Sequence, residues 1–157
     1  MNCKIVEYKK DYCDEISNMI IRNLLEINSK DYGIEHSKEH SLMFTPEKID
    51  KYSKKGKVFV ALDENKVVGT LRVENDMYGK KDDYVFLTIF VLPEYHGKGI
   101  GKLLMEKGEQ YVETLNGEKI TIRSSVTAHK FYNKLGYEYI NGIEPNSEDV
   151  ILMRKHI

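Results

Sequence analysis

Seven residues past the middle of the chain, His96-Gly97-Lys98-Gly99-Ile100-Gly101-Lys102, form its best-suited anion-binding pattern. Three glycines at alternate positions let a backbone turn tightly and approach a ligand with no Cβ in the way. A near-continuous apolar run, YVFLTIFVL over 84–92, precedes them and reads as a strand covered on both faces at the centre of a sheet. A helical pattern follows at once from about 99 to 115, with Ile100, Leu103, Leu104, Tyr111 and Leu115 on its apolar side. The first amides of such a helix lack intrahelical partners, and the positive end of the helix dipole stands behind them. The turn therefore fits a phosphate or pyrophosphate. Lys98, Lys102 and Lys107 add mobile positive charge. Without a ligand the same residues are a glycine-rich tight turn.

Two nucleotide readings fail on spacing. A P-loop with Gly101-Lys102 requires glycine at 96 and a hydroxyl at 103, where the chain has His96 and Leu103. A dinucleotide fingerprint requires G-x-G-x-x-G, but Gly97, Gly99 and Gly101 give G-x-G-x-G, and the motif lies past mid-chain rather than after a first strand.

The elements that position this turn follow from periodicity. Residues 3–8 read as a first strand. Cys13, Ile16, Ile20, Leu24 and Ile27 recur at spacings of three and four and predict one helix over 11–30. The polar stretch 31–42 predicts a loop. Thr45-Pro46 caps and starts a short helix toward Lys55. Residues 57–62 and 66–73 flank Asp63-Glu64-Asn65 as a hairpin. A strand over 119–122, a helix capped by Ser125 and stopped at Gly136, and strands over 137–140 and 150–153 close the chain. Pro46, Pro93 and Pro145 each punctuate an element boundary. The order is β-α-α-β-β-β-α-β-α-β-β, an α+β fold: one domain over 1–157, with helices on both faces of a mixed sheet.

Composition removes several function classes. With 157 residues, 24 Lys+Arg against 25 Asp+Glu and a net charge of −1, the whole-molecule field gives no reason to expect nucleic acid. No apolar run reaches the roughly 18 residues that span a membrane. The alternating N-terminus lacks the apolar core of a signal peptide, and Cys3 and Cys13 make neither a disulfide framework nor a ligand set, so the expected compartment is the cytoplasm. His36 and His40 are four apart without partner ligands and read as a solvated face; no metal is expected.

The strand step Val91-Leu92-Pro93-Glu94-Tyr95, followed by His96-Gly97-Lys98-Gly99-Ile100-Gly101, resembles the Q/R-x-x-G-x-G/A signature of the GNAT superfamily of acyl-CoA-dependent N-acetyltransferases. Ala128-His129-Lys130-Phe131-Tyr132-Asn133-Lys134-Leu135-Gly136-Tyr137 is similar to that family's later A-x-x-F-Y-x-K-x-G-F/Y segment. The resemblance implies a GNAT-like sheet and acetyl-CoA as co-substrate. The backbone from His96 to Lys102 would hold the CoA pyrophosphate. The strand at Ile89, Phe90 and Val91 would bulge and splay, pair with the pantetheine arm and polarise the thioester carbonyl. Lys98 and Lys102 would reach the 3′-phosphate. Ser125 stands where relatives have an Asn on the cofactor arm; it either contacts through water or caps the helix, the favoured reading. His96 replaces Gln or Arg, a change that backbone contacts tolerate.

Taken alone, Tyr132 reads as a core residue on an apolar stripe. The resemblance makes it the proton donor to the departing thiolate, a role a phenol with reference pKa about 10 can fill at neutral pH. An attacking amine must also lose a proton. Glu74, ending the hairpin strand, is one candidate base, and Asp82 and Asp83 before the central strand are others; each taken alone reads rather as a solvated surface carboxylate, and no base is established. The expected reaction is direct transfer, in a ternary complex, to a primary amine of a small molecule or peptide, since no cysteine accompanies the motif. The alternative is a non-catalytic acyl-CoA sensor. The family sets acceptor choice around residues 22–47, where Tyr32, Glu35, His36, Glu39 and His40 offer either a mildly acidic aromatic loop for a cationic amine or an ordinary wet loop. The closing strands offer a sheet edge on which a homodimer can pair.

Overall fold

In the computed structural model, residues 1–140 and 150–157 are described. Pro145, read above as punctuation, lies outside them. Seven strands, β1 (Cys3–Glu7), β2 (Lys57–Asp63), β3 (Lys66–Asn75), β4 (Asp83–Val91), β5 (Lys119–Ser124), β6 (Glu138–Tyr139) and β7 (Ile151–His156), form one sheet in the order β1-β2-β3-β4-β5-β7-β6. Every neighbouring pair is antiparallel except β4–β5, which is parallel. The mixed α+β architecture expected above is therefore present. The closing strand is not the sheet edge: β7 lies between β5 and the two-residue β6.

The helices are α1 (Cys13–Asn23), α2 (Ser29–Tyr32), α3 (Ile34–Ser41), α4 (Pro46–Ser53), α5 (Ile100–Thr114) and α6 (His129–Lys134). Alternation along β3 assigns them to two faces. A Cβ on Gly69 would meet Ile100 and Leu104 of α5, and Leu71 packs on Gly108 of the same helix. Thr70 and Arg72, pointing the other way, meet Ile16 of α1 and Ile49 and Tyr52 of α4.

Two expectations are corrected. The helix expected over 11–30 is not uniform: it opens as 3₁₀ over Lys10–Tyr12, and between α1 and α2 it widens into a π-helical turn over Leu24–Asn28. Such a turn keeps apolar spacings of three and four, which is why periodicity did not reveal it. The expected loop 31–42 is mostly helix, α3 followed by a 3₁₀ turn over Leu42–Phe44. Its aliphatic periodicity is weak because α3 buries only Ser37 and borders a cavity rather than the core.

Thr45 does cap α4, accepting the Lys48 N–H at 3.3 Å. Ser125 does not cap α6: the helix begins after Ala128, with no side-chain cap.

Candidate active site

The site begins as a fault in the sheet. β4 pairs with β5 only from Asp83↔Lys119 to Phe86↔Ile122, and beyond Phe86 the two strands part. On its other edge β4 carries a bulge: Arg72 faces Leu87 and Thr70 faces Phe90, so two residues of β4, Thr88 and Ile89, lie against one of β3. Thr88 takes φ +53°, a left-handed conformation costly for a β-branched residue and typical of strained functional backbone.

The Leu92 N–H goes to Val68 of β3, so alternation turns the Val91 peptide groups away from β3, toward the gap. The Val91 carbonyl accepts from Asn23 Nδ2 at 2.9 Å and contacts His96 Nε2 at 2.7 Å, which makes Nε2 the protonated nitrogen.

Pro93–Tyr95 form a 3₁₀ turn that leads into the glycines. Gly97 and Gly99 have φ +75° and +83°, values that glycine adopts at no steric cost, and Gly99 is the N-terminal cap of α5. Arg22 of α1 braces this corner through Glu94, whose carboxyl it pushes down to about 2, and the Tyr95 hydroxyl donates to Asp63 at 2.7 Å.

The parted strands open onto a cavity of about 910 Å³. Ile89, Phe90 and Val91 line it from β4; His96, Gly97, Gly99, Ile100, Gly101 and Lys102 line it from the turn; Ser125 and Tyr132 line it from the far side. Tyr132 is 6% exposed, edge-on to Phe131 and Tyr137, and no described residue hydrogen-bonds its hydroxyl. Burial pushes its phenol well above the usual value, so it is protonated throughout the neutral range. One opening thus combines a helix-start amide cradle, an unpaired strand edge and a buried phenol.

A family model described as the acetyltransferase (GNAT) domain matches residues 28–153. The chain belongs to the GNAT acetyltransferase family. It is therefore an N-acetyltransferase of the GNAT type. Among solved structures it is similar to the PaiA N-acetyltransferase of Thermoplasma acidophilum in complex with coenzyme A, with 16% identity, TM-score 0.85 and all of both chains covered. It is also similar to a GNAT-family acetyltransferase of Staphylococcus aureus MU50, at 20% identity and TM-score 0.76 with 99% of each chain covered. YncA of Salmonella typhimurium, solved with its cofactor acetyl-CoA, aligns at 14% identity and TM-score 0.70, over 99% of this chain and 94% of that one. These likenesses show the GNAT fold. No curated protein matches the chain in sequence.

Within this GNAT cavity the expected residues do not all assemble. Lys98 lies outside the lining, its ammonium 5.2 Å from the centre of the Tyr95 ring, and Lys107 lies over Phe59. Glu74 is not brought to the cavity either. Its carboxylate meets Arg72 at 2.7 Å, a charge contact without hydrogen-bond alignment, while Arg72 stacks on Tyr52. A carboxylate held by a guanidinium off the cavity is badly placed to take a proton there.

Asp83 is buried and structural. It accepts the Lys80 N–H at 2.8 Å and pairs with Lys119 at 3.3 Å. Burial pushes its carboxyl up, but the Lys80 N–H and the Lys119 charge outweigh that and hold it below its ordinary value. Because folding lowers this pKa, the stabilisation is present above the unfolded value near ~4 and is lost as pH falls through the folded one. Asp83→Asn is expected to cost about 2 kcal/mol at pH 7 and to flatten the acid loss of stability, read by thermal melts between pH 7 and pH 3.

Tyr32, His36 and His40, read above as an acceptor loop, do line the cavity, but on helical backbone; sequence reading missed Asn23, Phe44 and Arg123 beside them. The signal was present: Tyr32, His36, His40 and Phe44 are spaced by four. It was also blind to the bonds that cross the opening, from Val126 N–H to Tyr32 Oη at 2.8 Å and from Thr127 Oγ1 to Asp31. Among the described residues no three His, Cys, Asp or Glu gather as a metal set, and no helix is long and apolar enough to cross a membrane.

Proposed function

We propose that the chain, one acetyltransferase domain over 1–157, moves an acetyl group from acetyl-CoA directly to a primary amine of a small molecule or peptide. The observation that carries this reading is the parting of β4 from β5 onto the glycine turn, with Tyr132 at the same opening. The donor set suits the co-substrate. Free amides of Ile100, Gly101 and Lys102 at the start of α5 converge on a pyrophosphate, Lys102 adds charge, and the Ile89 peptide groups and the Val91 N–H, which have no strand partner among the described residues, offer an edge to an amide-bearing arm.

On this reading the Val91 N–H hydrogen-bonds the thioester carbonyl oxygen and stabilises the charge that develops as nitrogen attacks. The N–C bond forms, the C–S bond breaks, and Tyr132 gives its phenolic proton to the sulfur. The attacking nitrogen releases one proton to solvent, and Tyr132 is reprotonated from water, so the cycle closes without an acyl-enzyme.

Calorimetric titration with acetyl-CoA and with ATP, followed by CoA-release assays with an amine panel, tests the proposal. Binding of acetyl-CoA with ATP a poor competitor, and CoA release that requires amine, are the expected results. Absence of acetyl-CoA binding overturns the proposal, as does binding with no turnover on any amine.

A further inference from the structure

The helical wall of the cavity has a chemistry distinct from the glycine turn. Tyr32, His36, His40 and Phe44 form a ladder of rings with centroid separations of 5.7, 6.1 and 5.3 Å, and Phe44 meets Phe90 edge-on at 5.9 Å. All five rings line the cavity. Phe90 lies on β4 where it has left β5, so the ladder runs from the exposed His36 and His40 to the parted strand. Burial and the neighbouring His36 both push the His40 imidazole below its ordinary value, which favours the uncharged ring although one edge stays open to solvent. The charged residues of the described lining are Glu39, Lys102 and Arg123. Two cations against one carboxylate do not make a cleft for a polycation, whereas rings and apolar side chains suit an uncharged body.

Asn23 stands at the inner end of this wall. Its Nδ2 donates to the Met19 carbonyl at 3.0 Å and to the Val91 carbonyl at 2.9 Å. Carbonyl oxygens only accept, so the amide has one possible orientation and its other atom, Oδ1, is the acceptor. No described residue donates to Oδ1, and Asn23 lines the cavity. A fixed acceptor is therefore left open beside the strand edge. A neutral amide oxygen can hold one N–H of a free amine and turn the nitrogen lone pair toward an acyl carbon.

We propose that this wall binds a primary amine carried on an apolar, ring-bearing body, with the attacking nitrogen donating an N–H to Asn23 Oδ1. The proposal rests on the acetyl-transfer reading above and names the acceptor class for the same site.

The test measures CoA release by the full chain at saturating acetyl-CoA with 2-phenylethylamine, butylamine and spermidine. The expected kcat/KM for 2-phenylethylamine exceeds that for either of the others by about tenfold. His40→Ala, at an exposed position, and Phe44→Ala should each remove most of that preference and leave acetyl-CoA affinity unchanged. Asn23→Ala should lower aminolysis by about a hundredfold more than it lowers amine-free hydrolysis of acetyl-CoA. Spermidine as the best acceptor, or an equal loss on all amines when the rings are removed, overturns the assignment of the wall. An equal loss of aminolysis and hydrolysis in Asn23→Ala overturns the role of Oδ1. Failure of every amine while acetyl-CoA binds overturns the acetyl-transfer reading together with this one, whereas turnover without the ring preference overturns this one alone.

Discussion

Tyr132→Phe is expected to lower kcat by about a hundredfold while the Kd for acetyl-CoA changes by less than about threefold. The two effects separate because the ring and the hydroxyl have separate tasks. The ring is 6% exposed and packs edge-on against Phe131 and Tyr137 at 5.1 and 6.3 Å, contacts that phenylalanine preserves. The hydroxyl has no hydrogen-bond partner among the described residues, so its removal orphans nothing and the melting temperature should hold. On the mechanism proposed above, what is lost is the proton for the leaving sulfur. Since burial pushes this phenol well above its ordinary value, its ionisation should leave no falling limb in the wild-type kcat profile up to pH 9. A large drop in cofactor affinity or in melting temperature would show instead that the tyrosine is structural.

Gly99→Val should act in the opposite way, on binding before chemistry. Gly99 caps α5 at φ +83° and ψ 3°, and a Cβ built there meets nothing within 4 Å. The open space lets the variant fold. The left-handed backbone conformation makes a β-branched side chain cost about 2 kcal/mol, or roughly 5 °C in Tm for a chain of this size. That side chain then stands over the amides that open α5, and acetyl-CoA affinity should fall by about thirtyfold or more, roughly 2 kcal/mol of lost anion contacts. Calorimetry reads both arms. An unchanged Kd would refute the phosphate assignment of the turn.

The reach of the sequence is clearest on β4. A nine-residue apolar run announces a strand buried on both faces, and the strand indeed lies fourth of seven in the sheet. The glycine turn was equally legible, because glycine at alternate positions directly before a helix suits a backbone with positive φ, which Gly97 and Gly99 adopt. Thr88 was not: a β-branched residue inside an apolar run gives no local sign of a positive φ, and the bulge comes from how β3 and β4 pair. Glu74 was misplaced because it and Arg72, two apart on β3, share one face of the strand, so its carboxylate meets Arg72 rather than the cavity. Ser125 looked like a cap because its type and position suit one, but the chain takes three more residues to enter α6.

The polar helix α3 has a consequence for how the protein can change. It buries Ser37 and little else, while the core is assembled from other elements, with Ile16, Met19 and Ile20 on α1, Leu104 and Met105 on α5, and the sheet between them. Substitutions along its ring-bearing side therefore reshape the pocket with little loss of folding free energy. On the reading proposed above, a lineage carrying this scaffold can exchange its acceptor by rewriting exposed positions of α3 such as 36 and 40. The strained strand at Thr88 and the glycine turn, on that reading the transfer machinery, tolerate far less.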